Sequence, residues 1–87
     1  MTHGDIINGP DRTQFFDEFS AKSSIRLEVQ NPVDETVEIV FCKINRLTIQ
    51  DDDQAVWIEG FRSDNLLGVR GRYNYLSKKG FVFFGDC

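Results

Sequence analysis

Eighty-seven residues, 40% of them hydrophobic and 28% charged, describe one globular domain and exclude a disordered chain. A domain of this size buries limited surface, so its eight Phe matter as large apolar area per residue. The net charge of −4 is uneven: residues 1–61 hold five Lys/Arg against twelve Asp/Glu (net −7), whereas residues 62–87 hold five against two (net +3), which permits an anionic partner at that end.

The opening "MTHGDIINGP" combines no cationic leader with a long apolar run, and no apolar stretch anywhere reaches the length of a bilayer span. The expectation is a cytoplasmic protein with no membrane partner, residues 1–10 forming a flexible N-terminus ahead of a single domain over 11–87. Two cysteines make a poor disulfide framework. Cys42, inside an apolar run, reads as a small buried side chain, and Cys87, at the chain end, as a freely reactive thiol.

Order begins at "GPDRTQFFDEF". Asp11 followed three residues on by Gln14 has the form of a helix N-cap, and Pro10 sits just outside. A short helix over about 11–21 places Phe15, Phe16 and Phe19 on one stripe, which must lie against apolar surface. Ser20, Ser23 and Ser24 end it.

The rest reads as strands. In "SIRLEVQ", Ile25, Leu27 and Val29 alternate with Arg26, Glu28 and Gln30, the pattern of a half-buried strand, and "NPVDE" turns the chain. "TVEIVFCKINRLTIQ" is longer than an ordinary strand and apolar on both parities. Val37, Ile39, Phe41, Leu47 and Ile49 share one parity, and Val40, Cys42 and Ile44 the other. A strand bent by a bulge near 42–45 and shared by both sheets of a small barrel accounts for this. "DDD" (51–53) closes a hairpin into "AVWIEGF". Three adjacent carboxylates cannot converge on one ion, so a solvated turn is the expectation and no metal is called. "RSDN" turns again, "LLGVRGRYNYL" alternates Leu67, Val69, Tyr73 and Tyr75 against Arg70, Arg72 and Asn74, "SKKG" turns, and "FVFF" is a last strand. The predicted order is one helix and five strands, at about 25–30, 36–50, 55–61, 66–76 and 81–84.

A short N-terminal helix before a five-stranded, strongly bent antiparallel barrel resembles the Sm-like proteins. "LLGVRGRYNYL" is similar to their second signature, an apolar run ending in Arg-Gly, while Gln54 stands where the first signature has its Asn. The likeness spans about residues 11–76. It leaves two arrangements open. With Arg70-Gly71 in a loop, "YNYL" is the fifth strand and "GFVFF" an extra one; with the alternation running through Arg70, "GFVFF" closes the barrel.

The resemblance implies a homo-oligomeric ring in which strand edges of neighbouring subunits pair, and single-stranded RNA bound around the pore. Unpaired edges on a five-stranded barrel argue for the same assembly. The candidate RNA contacts are Gln54, Arg70, Gly71, Arg72, Lys78 and Lys79. Tyr73, Tyr75, Phe81 and Phe83 are the candidate subunit contacts, although the parity that Tyr73 and Tyr75 share with Val69 fits core positions equally. The acidic turn 51–53 repels phosphate.

Enzymatic chemistry is not expected. Acid–base or nucleophilic catalysis needs convergent groups, and the single His, His3, stands far in sequence from Cys42. No cofactor motif is present; "GVRG" is too short for a phosphate loop. The alternative function is a protein-interaction module on an SH3-like barrel, recognising its partner through exposed aromatics such as Trp57 or Phe61.

Overall fold

The computed structural model describes residues 2–85. In chain order the elements are β1 (Thr2–Asn8), α1 (Arg12–Lys22), β2 (Ser24–Gln30), β3 (Val37–Gln50), β4 (Ala55–Arg62), β5 (Gly68–Asn74) and β6 (Lys79–Phe84). The six strands form a closed antiparallel barrel in sequence order. The mainly β architecture with one short helix agrees with the sequence reading.

Two expectations are corrected. There are six strands rather than five, because the segment read as a flexible N-terminus is β1. It pairs with β6 from Thr2↔Phe84 to Ile6↔Gly80 and with β2 from Asp5↔Gln30 to Asn8↔Glu28. The helix is therefore internal, carried between β1 and β2. What makes β1 a strand is partners at the far end of the chain and on the next strand, and no local pattern contains those. The same pairing settles the alternative left open above: Arg70-Gly71 lies within β5, and β6 completes the barrel.

Local chemistry explains the helix. Asp11 in extended conformation accepts at its side chain from the Gln14 N–H at 2.8 Å, and Ser23 ends α1 in the left-handed region (φ 54°), its N–H donating to the Phe19 carbonyl. Phe15 is the residue of α1 that is fully buried. Its ring stacks against Tyr73 (6.0 Å) and meets Tyr75 edge-on (5.3 Å), while Phe16 and Phe19 are partly buried against the core. Tyr73 Oη donates to the Pro10 carbonyl at 2.6 Å, which ties the start of the helix to β5.

The core is one parity of each strand: Ile6; Ile25, Leu27 and Val29; Val40, Cys42 and Ile44; Val56 and Ile58; Val69 and Tyr73; Val82 and Phe84. The long strand β3 carries the predicted bulge, with register shifting between Ile44↔Gly60 and Arg46↔Glu59. One inserted residue reverses which parity faces in, so Val40, Cys42 and Ile44 point inward before Asn45 and Leu47 packs against the core after it. Gly60 is required opposite the bulge, where a Cβ would overlap the Lys43 carbonyl. The second apolar face of β3 belongs to no second sheet: Val37, Ile39 and Phe41 are 50%, 38% and 50% exposed.

The barrel end away from α1 is covered by Arg62. Its guanidinium bridges Asp64 and Glu38 and lies 5.2 Å from the centre of the Phe84 ring. Among the described residues, no helix is long and apolar enough to cross a membrane.

Cys42 is 1% exposed, and burial pushes its thiol up to about 12. The thiolate is the reactive form, so Cys42 stays protonated and inert well above neutral pH. In a Cys87→Ser variant, Cys42 should resist a thiol reagent at pH 8 until denaturant unfolds the barrel; rapid labelling of the native protein would contradict this burial. Cys87 itself lies outside the described residues.

Candidate nucleic-acid interface

Antiparallel register places outward side chains in rows across the barrel wall. One row runs Thr48, Trp57, Arg72, Phe81, Asp5, and the next runs Arg46, Glu59, Arg70, Phe83, His3. Because alternate residues of a strand share a face, β6 presents Lys79, Phe81 and Phe83 outward while Val82 and Phe84 point in. β1 likewise presents His3 and Asp5 outward and buries Ile6.

These rows bring four aromatic rings into one continuous surface. His3 stacks on Phe83 at 5.1 Å, Phe83 meets Phe81 at 5.5 Å, and Phe81 meets Trp57 at 6.4 Å. The phenyl and indole rings are half-buried and His3 is exposed. Each ring supports its neighbour at a separation typical of aromatic pairs, so the surface is held before any ligand arrives. Trp57 Nε1 donates to Glu59 Oε1 at 3.1 Å, which fixes the indole.

Basic groups lie among the rings. Arg70 stands between Glu59 and Phe83, and Arg72 between Trp57 and Phe81. Arg72 donates from Nε to Gln50 at 3.2 Å and pairs with Asp51, so its guanidinium is held at the edge of the aromatic surface. Lys79 continues the outward face of β6 beyond Phe81. Acidic groups interrupt the surface: Asp5 lies 3.3 Å from His3 Nε2, and Glu59 lies 4.0 Å from Arg46. The turn carboxylates diverge, Asp51 to Arg72 and Asp53 to Arg12.

The expected site residues therefore separate into groups. Arg70, Arg72 and Lys79 share the outer face with Phe81 and Phe83. Gly71 faces inward where β5 and β6 approach closely, and a Cβ there would overlap the Phe81 carbonyl. Gln54 belongs to the β3–β4 turn, its carbonyl accepting from the Tyr75 N–H. Lys78, in the β5–β6 turn with φ 57°, lines a different hollow beside Arg26 and Glu28. Tyr73 and Tyr75 are 0% and 4% exposed beneath α1, so their side chains offer no contact surface; burial raises both phenols, that of Tyr75 to about 12. The sequence points to His3 for no site, and to Trp57 for protein binding alone. The alternation of "THGDII" carries the missing signal, but only once it is known to be a strand.

The edge argument for a ring also changes. Each strand of the closed barrel has a partner on both sides, and the β3–β4 register begins at Cys42↔Arg62. That leaves β3 from Val37 to Val40 paired on one side, to β2. Ile44 donates to the carbonyl of Ser23, just before β2, and the Phe41 carbonyl accepts from Ser63 on the opposite side, so ladder alternation turns the N–H and C=O of Val37 and Ile39 away from β2.

No protein-family model, curated protein or solved structure matches this chain.

Proposed function

We propose that this protein binds single-stranded RNA across the outer wall of β4, β5, β6 and β1. The observation that carries the reading is the run of ring contacts His3–Phe83–Phe81–Trp57 across two neighbouring rows that also hold Arg70 and Arg72. Unpaired bases stack on aromatic faces whatever their identity, and arginines between the rings meet the phosphates that link them. A closed barrel suits this use, because its wall is rigid and presents side chains at fixed spacing. The interaction is weak and salt-sensitive, since the whole chain carries −4 and Asp5, Asp51 and Glu59 border the basic groups.

The test is fluorescence anisotropy with a labelled uridine oligomer over a series of salt concentrations. Binding should weaken linearly on a log–log plot, and Arg70→Ala, Arg72→Ala and Lys79→Ala should each reduce the slope by about 0.7. No binding by the wild type at low salt would overturn the reading.

A protein-binding barrel is the second reading, and a different observation favours it. The outward side chains of Val37, Ile39 and Phe41 are exposed beside the one-sided stretch of β3, the combination an added strand from a partner protein or a second copy uses. A ring sharing edges needs two free edges on every subunit, and β3 from Arg46 to Gln50, paired to β4 alone, and β1 from Thr2 to Gly4, paired to β6 alone, are further one-sided stretches.

A further inference from the structure

Next to the aromatic row the barrel wall carries a hollow of about 570 Å³, lined by Gly60, Gly68 and Gly85 and walled by Arg46, Glu59 and Arg70. Its origin is the β3 bulge. The bulge displaces Asn45 out of register, Gly60 opposite it packs directly against the Lys43 carbonyl, and Gly68 and Gly85 bring no side chain to the wall. We infer that this hollow is a guanine-specific base subsite, with Glu59 reading the Watson–Crick edge; the inference rests on the proposed single-stranded RNA surface.

The chemistry of the walls selects the ligand. Glu59 sits directly between Arg46 and Arg70 in the cross-strand row, so a phosphate placed between the two arginines meets a carboxylate. A neutral ring that donates hydrogen bonds avoids that repulsion. Glu59 Oε1 accepts from the Trp57 indole, and a carboxylate has about four lone-pair sites, so acceptor capacity remains. Among the RNA bases only guanine offers two adjacent donors, N1–H and the 2-amino group, matched to the two oxygens of a carboxylate. Adenine and cytosine each place an acceptor beside their amino group, and uracil flanks one donor with two acceptors. Glycine-lined walls admit a purine, and Phe83, next to Arg70 in the same row, receives the adjoining base. The guanidinium planes of Arg46 and Arg70 stack on the purine or reach its flanking phosphates.

The probes are a labelled twelve-nucleotide uridine oligomer and versions with one central guanosine, inosine or adenosine. The guanosine oligomer should bind about tenfold more tightly than uridine alone, the gain of a charge-assisted pair. Inosine, which lacks the 2-amino group, should lose most of that gain, and adenosine should show none of it. In Glu59→Gln, guanosine and uridine oligomers should bind within about twofold of each other. Arg72→Ala, outside the hollow, should weaken every oligomer by a similar factor and keep the guanosine preference. Equal binding of all four oligomers by the wild type would overturn the guanine subsite and leave the RNA surface standing. A guanosine preference that survives in Glu59→Gln would overturn the role of Glu59, and failure to bind any oligomer would overturn surface and subsite together.

Discussion

Phe15→Ala should lower the unfolding free energy by about 3–5 kcal/mol, the cost of deleting a fully buried phenyl group. Total stability for a domain of this length is roughly 4–13 kcal/mol, so the loss is a large fraction of what holds the barrel together. The size follows from position. Phe15 is 0% exposed, packs against both Tyr73 and Tyr75, and is the buried anchor of α1. Without it the apolar contacts of the helix with the barrel end fall to the partly buried Phe16 and Phe19, beside the Tyr73–Pro10 hydrogen bond and the Arg12–Asp53 ion pair. The Tyr75 hydroxyl is already buried without a hydrogen-bond partner among the described residues, so water entering a cavity at Phe15 reaches a polar group there. Urea unfolding followed by tryptophan fluorescence measures the change, with Phe19→Ala as a comparison expected to cost less. A loss below about 1 kcal/mol would mean the helix is not part of the folded core.

Phe81→Ala and Phe83→Ala should each weaken binding of a uridine oligomer by about tenfold, and the double variant by about a hundredfold. One base stacked on an aromatic side chain contributes about 1–3 kcal/mol. The two rings sit at the centre of the row, where Phe83 also supports His3 and Phe81 supports Trp57, so their loss disorders neighbours as well. Both side chains point away from the core, so the fold should survive, which thermal melts of the same variants establish. The lever differs from that of the arginines. Removing rings lowers affinity with the salt slope unchanged, whereas removing a phosphate contact lowers the slope. If the double variant binds as well as the wild type, RNA does not lie on this wall, and the exposed edge of β3 becomes the better interface.

The basic half of the interface was legible because alternation in "GVRGRYN" puts Arg70 and Arg72 on one parity and Val69 and Tyr73 on the other. Gln54 is expected from the Sm-like first signature and Lys78 from the basic stretch, and neither signal says which side of a barrel a turn residue overhangs. The expected subunit contacts join Phe81 and Phe83 with Tyr73 and Tyr75, yet the structure puts the phenyl groups outside and the tyrosines inside. Period-two alternation states which residues share a face; it cannot state which face is inward when both are apolar. In "FVFF" both parities are apolar, and burial decides: Val82 and Phe84 face the core while Phe81 and Phe83 face the outer wall.

By itself the sequence determined what depends on neighbours in the chain. The Asp11 cap, the helix it begins, the four strands from β2 to β5 with their turns, the last strand, and the bulge that lets "VFCKINRL" change faces are all local chemistry. Only the tertiary structure decided that "THGDIIN" is a strand, that the barrel closes by pairing Thr2 with Phe84, and that His3 comes to stack on Phe83. Those outcomes rest on hydrogen bonds and ring contacts between opposite ends of the chain, whose partners no local window contains.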